Sequence, residues 1–353
     1  MRIVVTGATG NVGSQLLPQL LDHPRVTSVV GIARRLPPDR DSRVDWRALD
    51  VAATDLRPAF RGADVIVHLA WLLQPAHTPS EMARVNLGGT RRVLDALDSE
   101  GVPALVHASS VGAYSPGPDD RRVPESHPTG GIASSVYSRH KSEAERMLDR
   151  FEALHPERRV VRLRPGIVLQ PDAASELARY FLGPFVPQSL IRQGFIPVVP
   201  RTPGLAIQAL HASDMAAAYV LAATTPVTGA FNIASEPVLD AGSLAATLRA
   251  VQVPVPGAVL RALVDLTWRL HLQPTDPGWV DLAVRGPLMD LTRAREELGW
   301  VPAVTATDAL LAVVRAMGAG RGGGSPVLRP RATGIRRVGE VLQAVVPGAG
   351  RTG

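Results

Sequence analysis

Three glycines fix the start of this chain. In Thr6-Gly7-Ala8-Thr9-Gly10-Asn11-Val12-Gly13 they follow the apolar run Arg2-Ile3-Val4-Val5 directly and open a helix-like stretch, Val12–Asp22. In a strand–turn–helix unit of this spacing, the first glycine allows the tight turn. The second lets the backbone approach a pyrophosphate, and the third lets the helix pack close on the strand. Phosphates placed there face free N–H groups and the positive end of the helix dipole. Gly7, Thr9, Gly10, Asn11, Val12 and Gly13 are therefore candidates for holding a dinucleotide.

The next hundred residues repeat the alternation. Thr27–Ala33, Val65–Leu69 and Ala104–Ala108 read as buried strands, and Val44–Leu49 as an edge-like strand. Ala52–Phe60 and Glu81–Ser99 read as intervening helices, and Ile132–Leu154 as a helix leading into the strand Val160–Leu163. Right-handed crossovers between such strands must travel over the sheet, giving an α/β fold with helices on both faces. The expectation is a Rossmann-type doubly wound parallel sheet over 1–165. A smaller C-terminal substrate-binding lobe, interleaved with the last Rossmann elements, takes 166–317, and a Gly/Pro/Arg-rich flexible tail takes 318–353. Residues 181–204 combine five prolines with Phe181, Leu182, Phe185, Leu190, Ile191, Phe195 and Ile196. That composition suits either a lid over an apolar pocket or ordinary packing of the second lobe.

Composition narrows the function classes. Cysteine is absent among the 353 residues, which excludes disulfides and thiolate chemistry. No apolar run is long enough to span a bilayer, and Met1 leads straight into the first strand without a signal segment, so the expectation is a cytoplasmic protein. The net charge of +6 comes largely from the tail, where Arg321, Arg329, Arg331, Arg336, Arg337 and Arg351 face one acid, Glu340. A basic tail on a nearly neutral body does not make a nucleic-acid interface. No His/Asp/Glu cluster has metal spacing, so no metal is expected.

Of 38 basic side chains, one alone is lysine: Lys141, four residues after Tyr137 in Val-Tyr-Ser-Arg-His-Lys-Ser. Arginine replaces lysine on a solvated face, but not where a compact ammonium must approach a phenol and a ribose. On a helix, positions i and i+4 share a face. Tyr137 and Lys141 are thus a candidate pair for moving a proton.

With Ser110 in Ala108-Ser109-Ser110-Val111-Gly112-Ala113-Tyr114, these motifs resemble the extended short-chain dehydrogenases/reductases, the group containing NAD-dependent epimerases, dehydratases and hydroxysteroid-type dehydrogenases. The family's T-G-x-x-G-x-x-G turn is met by Thr6, Gly7, Gly10 and Gly13. Asp50-Val51 matches the family's adenine-holding acid, His68-Leu69-Ala70 the segment beside the cofactor, and Val85-Asn86-Leu87-Gly88-Gly89-Thr90 its V-N-x-x-G-T helix. Arg164-Pro165-Gly166, His211-Ala212-Ser213-Asp214 and Leu298-Gly299-Trp300-Val301-Pro302 match weaker landmarks. The resemblance covers residues 1 to about 316 and implies a catalytic set of Ser110, Tyr137 and Lys141. It adds Leu69, Ala70, Asn86 and Pro165 to the cofactor contacts. His68 and Asn86 are expected to be structural groups near the cofactor, and His211 and Asp214 to fix the joint between lobes.

In that set Tyr137 passes the hydroxyl proton while Ser110 holds the substrate oxygen. Its pKa must fall by about 2–3 units from about 10, with Lys141 and the charge of an oxidised nicotinamide favouring the phenolate. At the end of the second strand the usual ribose-binding acid is replaced by Ala33, followed by Arg34-Arg35, which favours NADP over NAD. The family's dehydratases carry Asp-Glu where this chain has Val111-Gly112, and its epimerases an asparagine where it has Ile167. Gln170 replaces a usual glycine and leaves its loop undetermined. The reading is hydride transfer on a secondary alcohol or ketone of an apolar small molecule. A nucleotide-sugar epimerase and a non-catalytic dinucleotide sensor are the alternatives. The substrate is the only partner implied; a homodimer stays open.

Overall fold

The computed structural model describes residues 1–73, 78–118, 121–181, 196, 198–272 and 275–329. Seven parallel strands form the central sheet: β1 (Arg2–Thr6), β2 (Ser28–Ala33), β3 (Val44–Ala48), β4 (Val65–His68), β5 (Ala104–Ala108), β6 (Arg159–Pro165) and, after a long excursion, β10 (Gly229–Ile233). Their order is β10-β6-β5-β4-β1-β2-β3. The reversal between β1 and β4 opens a crevice at the carboxyl ends of the strands, where sheets of this kind bind ligands.

Valine and isoleucine fill both faces of these strands, as a sheet covered on both sides requires. One face packs Ile3, Val5, Val67 and Val106 against the helices Gly13–Leu21 and Ala212–Thr224. The other packs Val4, Ile32, Ile66 and Leu105 against Gly89–Ser99 and Val136–Leu154. The smaller lobe is built on β7 (Ile167–Leu169), β9 (Ala206–His211) and β11 (Ser235–Asp240), in the order β11-β9-β7, under the helix Ala306–Gly318. A separate parallel pair joins β8 (Val198–Arg201) to β12 (Val251–Pro254). No described helix is long and apolar enough to cross a membrane.

Several boundaries differ from the sequence reading. The expected helix Ala52–Phe60 shrinks to Arg57–Phe60 because the Asp50 carboxylate accepts the N–H of Ala52, and its carbonyl that of Thr54, closing a turn instead. The Tyr137 helix starts at Val136, not Ile132, since Ser135 caps it by accepting the N–H of Ser138. The third helix carries a π-helical turn, Arg84–Gly88, at Asn86. Most of 181–204 lies outside the described residues, as does the tail beyond 329, so the expected lid is not described. The first part of the tail is not a free linker: Leu328 is 2 % exposed and packs with Leu169, Ala173 and Leu177.

Candidate active site

A cavity of about 670 Å³ opens at the carboxyl ends of β1, β4, β5 and β6, bounded on its far side by the smaller lobe. At its floor the glycine turn takes the predicted shape. Gly7 has φ +72°, and a Cβ there would lie 2.7 Å from the Ala70 nitrogen; a Cβ on Gly13 would lie 2.6 Å from the carbonyls of Gly7 and Ala8. Both positions therefore require glycine. The backbone N–H groups of Asn11, Val12 and Gly13 have no hydrogen-bond partner among the described residues, and all three residues border the cavity. Unpaired N–H groups at the start of a nine-residue helix form an anion site. A dinucleotide pyrophosphate fits these groups. Gln170, 1 % exposed, holds the turn from behind by donating to the Asn11 carbonyl at 2.6 Å, which settles the conformation its replacement of glycine had left open.

The predicted catalytic side chains converge on the opposite wall. Ser110 ends β5 and caps a short 3-10 turn, its Oγ accepting the Gly112 N–H at 3.0 Å. Tyr137 and Lys141 project from one face of the helix Val136–Leu154, and Ser110, Tyr137 and Lys141 all border the cavity. The Ser110 hydroxyl acts on the Tyr137 phenol in the direction of the phenolate. A Cβ on Gly112 would lie 2.8 Å from Cε1 of Tyr137, so the ring occupies the space that a larger residue at that position would need.

Electrostatics depart from expectation here. Burial pushes Tyr137 up to about 12, against the pull of the Ser110 hydrogen bond. Lys141 does not supply the expected opposite push. Its Nζ donates to the Ala108 carbonyl at 2.7 Å and sits 3.5 Å over the Trp71 ring, and burial lowers it to about 7 with Glu145 opposing. Trp279 stacks on Tyr137 at 4.8 Å between ring centroids.

Beneath this wall lies a buried ion network. Glu145, one further turn along from Lys141, accepts two bonds from Arg164, at 2.8 and 2.9 Å, and one from Arg162 at 2.9 Å. It also accepts the hydroxyl of Ser109, and Arg164 donates to Tyr114 at 3.0 Å. Burial would raise Glu145, but the two guanidiniums hold it down at about 2.

Among the other predicted contacts, Gly7, Gly10, Leu69 and Pro165 also border the cavity, whereas Thr9, Arg34, Arg35, Asp50, Val51, Ala70 and Asn86 do not. Arg34 and Arg35 are exposed just beyond β2, and Val51 is buried against Gly89. Asn86 is a plug: its side-chain amide pairs with both backbone groups of Leu72, fixing the segment that carries Trp71. His68 is buried between Thr6 and Thr90. Asp214 ties its helix to the segment after Trp300 by accepting the Val304 N–H at 2.9 Å. Sequence reasoning missed Trp71 and Trp279. Trp71 was within reach, being the residue after the His68-Leu69-Ala70 motif in a chain with only five tryptophans.

Residues 3–234 match the NAD dependent epimerase/dehydratase family. The chain belongs to that family. It is 28% identical over 313 residues to an uncharacterized protein of Mycobacterium tuberculosis, covering 88% of this chain but 29% of that protein. The chain thus spans less than a third of the length of that relative. L-arabinose 1-dehydrogenase (NAD(P)(+)) of Haloferax volcanii is 36% identical over 110 residues, 31% of this chain and 41% of the enzyme. Among solved structures, UDP-glucose 4-epimerase of Thermotoga maritima with UDP-glucose superposes with a TM-score of 0.67 at 20% identity, covering 90% of this chain and 98% of that one. At that identity the likeness speaks for the fold, and this member of the family shares its seven-stranded sheet.

Proposed function

We propose that this family member is an NAD(P)-dependent reductase or dehydrogenase acting on a secondary alcohol or ketone of a largely apolar molecule. The observation that carries the reading is the apolar lining that shares the cavity with Ser110 and Tyr137: Leu205, Ile207, Leu260, Val264, Trp279 and Leu282. Among the described residues bordering the cavity there is no arginine, and Lys141 and Glu176 are the only lysine and carboxylate. A nucleotide diphosphate set against that lining would leave polar groups unpaired, at about 1–3 kcal/mol each. An apolar body gains about 25 cal/mol for each Å² covered.

The glycine turn would hold the dinucleotide by Asn11, Val12 and Gly13, with Leu69 and Pro165 flanking it. When bound, the reduced cofactor supplies the hydride taken up by the carbonyl carbon. Ser110 orients the carbonyl oxygen, and Tyr137 donates it the phenol proton. A phenol held protonated at neutral pH is prepared for that donation, the proton transfer that carbonyl reduction requires. Lys141 holds the Ala108 carbonyl at the end of β5, one turn along the helix from Tyr137.

Purified protein with NADPH should consume it on addition of bulky apolar ketones and not on addition of UDP-glucose. Interconversion of UDP-glucose and its 4-epimer without net cofactor consumption would replace this reading with the nucleotide-sugar epimerase, the activity named for the Thermotoga maritima structure.

A further inference from the structure

Outside the residues matched to the family, the segment after the helix Ala306–Gly318 turns back over the glycine turn. Ser325 Oγ donates to the Thr9 carbonyl at 2.8 Å, inside the phosphate-binding motif itself. Two anchors hold the segment there. Arg321 Nε meets Asp172 Oδ1 at 2.9 Å, and Leu328 is buried among Leu169, Ala173, Leu177 and Val313. The loop between them is closed by backbone bonds, Gly323 N–H to Leu328 carbonyl at 2.8 Å and Leu328 N–H to Ser325 carbonyl at 3.1 Å. The fit is close at Gly323, where a Cβ would lie 3.0 Å from Cβ of Leu328. Between the anchors Val327 borders the same cavity as Gly10, Asn11, Val12 and Val168.

We propose that residues Ser325–Leu328 are part of the cofactor site, an outer wall that retains the dinucleotide against the glycine turn. The inference rests on the dinucleotide reading above. Physically, the wall acts twice. Ser325 fixes the carbonyl of Thr9, two residues before the first of the N–H groups offered to phosphate, so the turn is held in its binding shape. Val327 covers the phosphates with an apolar side chain, excluding water that would weaken the N–H contacts. The wall must open for cofactor exchange, so its contribution falls on the dissociation rate. Retention of this kind explains why a segment rich in glycine and arginine is packed rather than solvated.

The test uses the full chain, NADPH fluorescence for the dissociation constant, and displacement by excess NADP for the dissociation rate. Ser325→Ala should raise both by about fivefold, the loss of one hydrogen bond. Val327→Asp, which turns a carboxylate toward the phosphates, should raise them by about tenfold or more. Arg321→Ala weakens the exposed one of the two anchors, so the dissociation constant and rate should both rise by less than in Ser325→Ala. Where Val327→Asp lowers the thermal midpoint, Ser325→Ala alone decides. Wild-type affinity and dissociation rate in Ser325→Ala would overturn the wall while leaving the dinucleotide site intact. Failure of the wild-type protein to bind either NADPH or NADH would overturn the site reading, and the wall with it.

Discussion

Lys141 is placed where a cation is resisted. It is 3 % exposed, its Nζ held by one carbonyl and one indole face, and burial brings it to about 7 from 10.5. An ammonium in that setting releases its proton near neutrality; a guanidinium does not, and it is too broad for the space between Ala108 and Trp71. Lys141→Arg should therefore lower kcat by at least about 100-fold while the protein still folds and binds cofactor. Activity within twofold of wild type, measured with the ketone identified by the substrate screen, would remove Lys141 from the catalytic set. The identity of this residue was readable from its uniqueness, and its face from the i, i+4 spacing. The direction of the shift on Tyr137 was not, because it depends on burial under residues such as Trp279, which is far from Tyr137 in sequence.

At the scale of the element, the helix Val136–Leu154 aligns three functional turns: Tyr137, Lys141 and Glu145. The first two were legible in the motif; the third was not, because its partners lie on β6. Arg162 and Arg164 alternate with Val161 and Leu163, a pattern that reads as a strand with one wet face. The helix covers that face instead, and Glu145 neutralises it. Removing the carboxylate leaves two buried guanidiniums without it, so Glu145→Gln should destabilise the fold by about 3–5 kcal/mol in chemical denaturation at pH 7. Glu145 falls from 4.5 unfolded to about 2 folded, so its contribution is fully present above pH 4.5 and is lost as pH falls toward 2. The gap between wild type and variant should be constant near neutrality and close as the solution is acidified through that window. A gap below about 1 kcal/mol at pH 7 would show the network to be dispensable.

For the whole molecule, the order of the sheet places every strand end that carries chemistry on one edge, and that much follows from the alternation of strands and helices. The smaller lobe and the wall at Ser325–Leu328 do not, since they are held by contacts between segments of irregular composition separated by more than a hundred residues, such as Arg321 with Asp172 and Ser325 with Thr9. Cofactor preference also belongs to this scale, because it depends on what stands at the end of β2 relative to the glycine turn on β1. There Ala33 is buried, Arg34 and Arg35 are exposed, and no ion pair engages either arginine among the described residues. Asp50, after the neighbouring β3, already spends one carboxylate oxygen on the Ala52 N–H. With two free guanidiniums and no acid at the strand end, a ribose 2′-phosphate has partners and a 2′-hydroxyl has no carboxylate to accept its proton. NADPH should bind about tenfold more tightly than NADH at low ionic strength. Because both arginines are solvated, the preference should shrink toward parity near ~1 M salt, where the screening length falls to about 3 Å. Arg34→Ser combined with Arg35→Ser should abolish it while leaving NADH affinity unchanged. Equal affinities in the wild-type protein, or a preference for NADH, would assign the ribose to other groups and leave the arginines as surface charge.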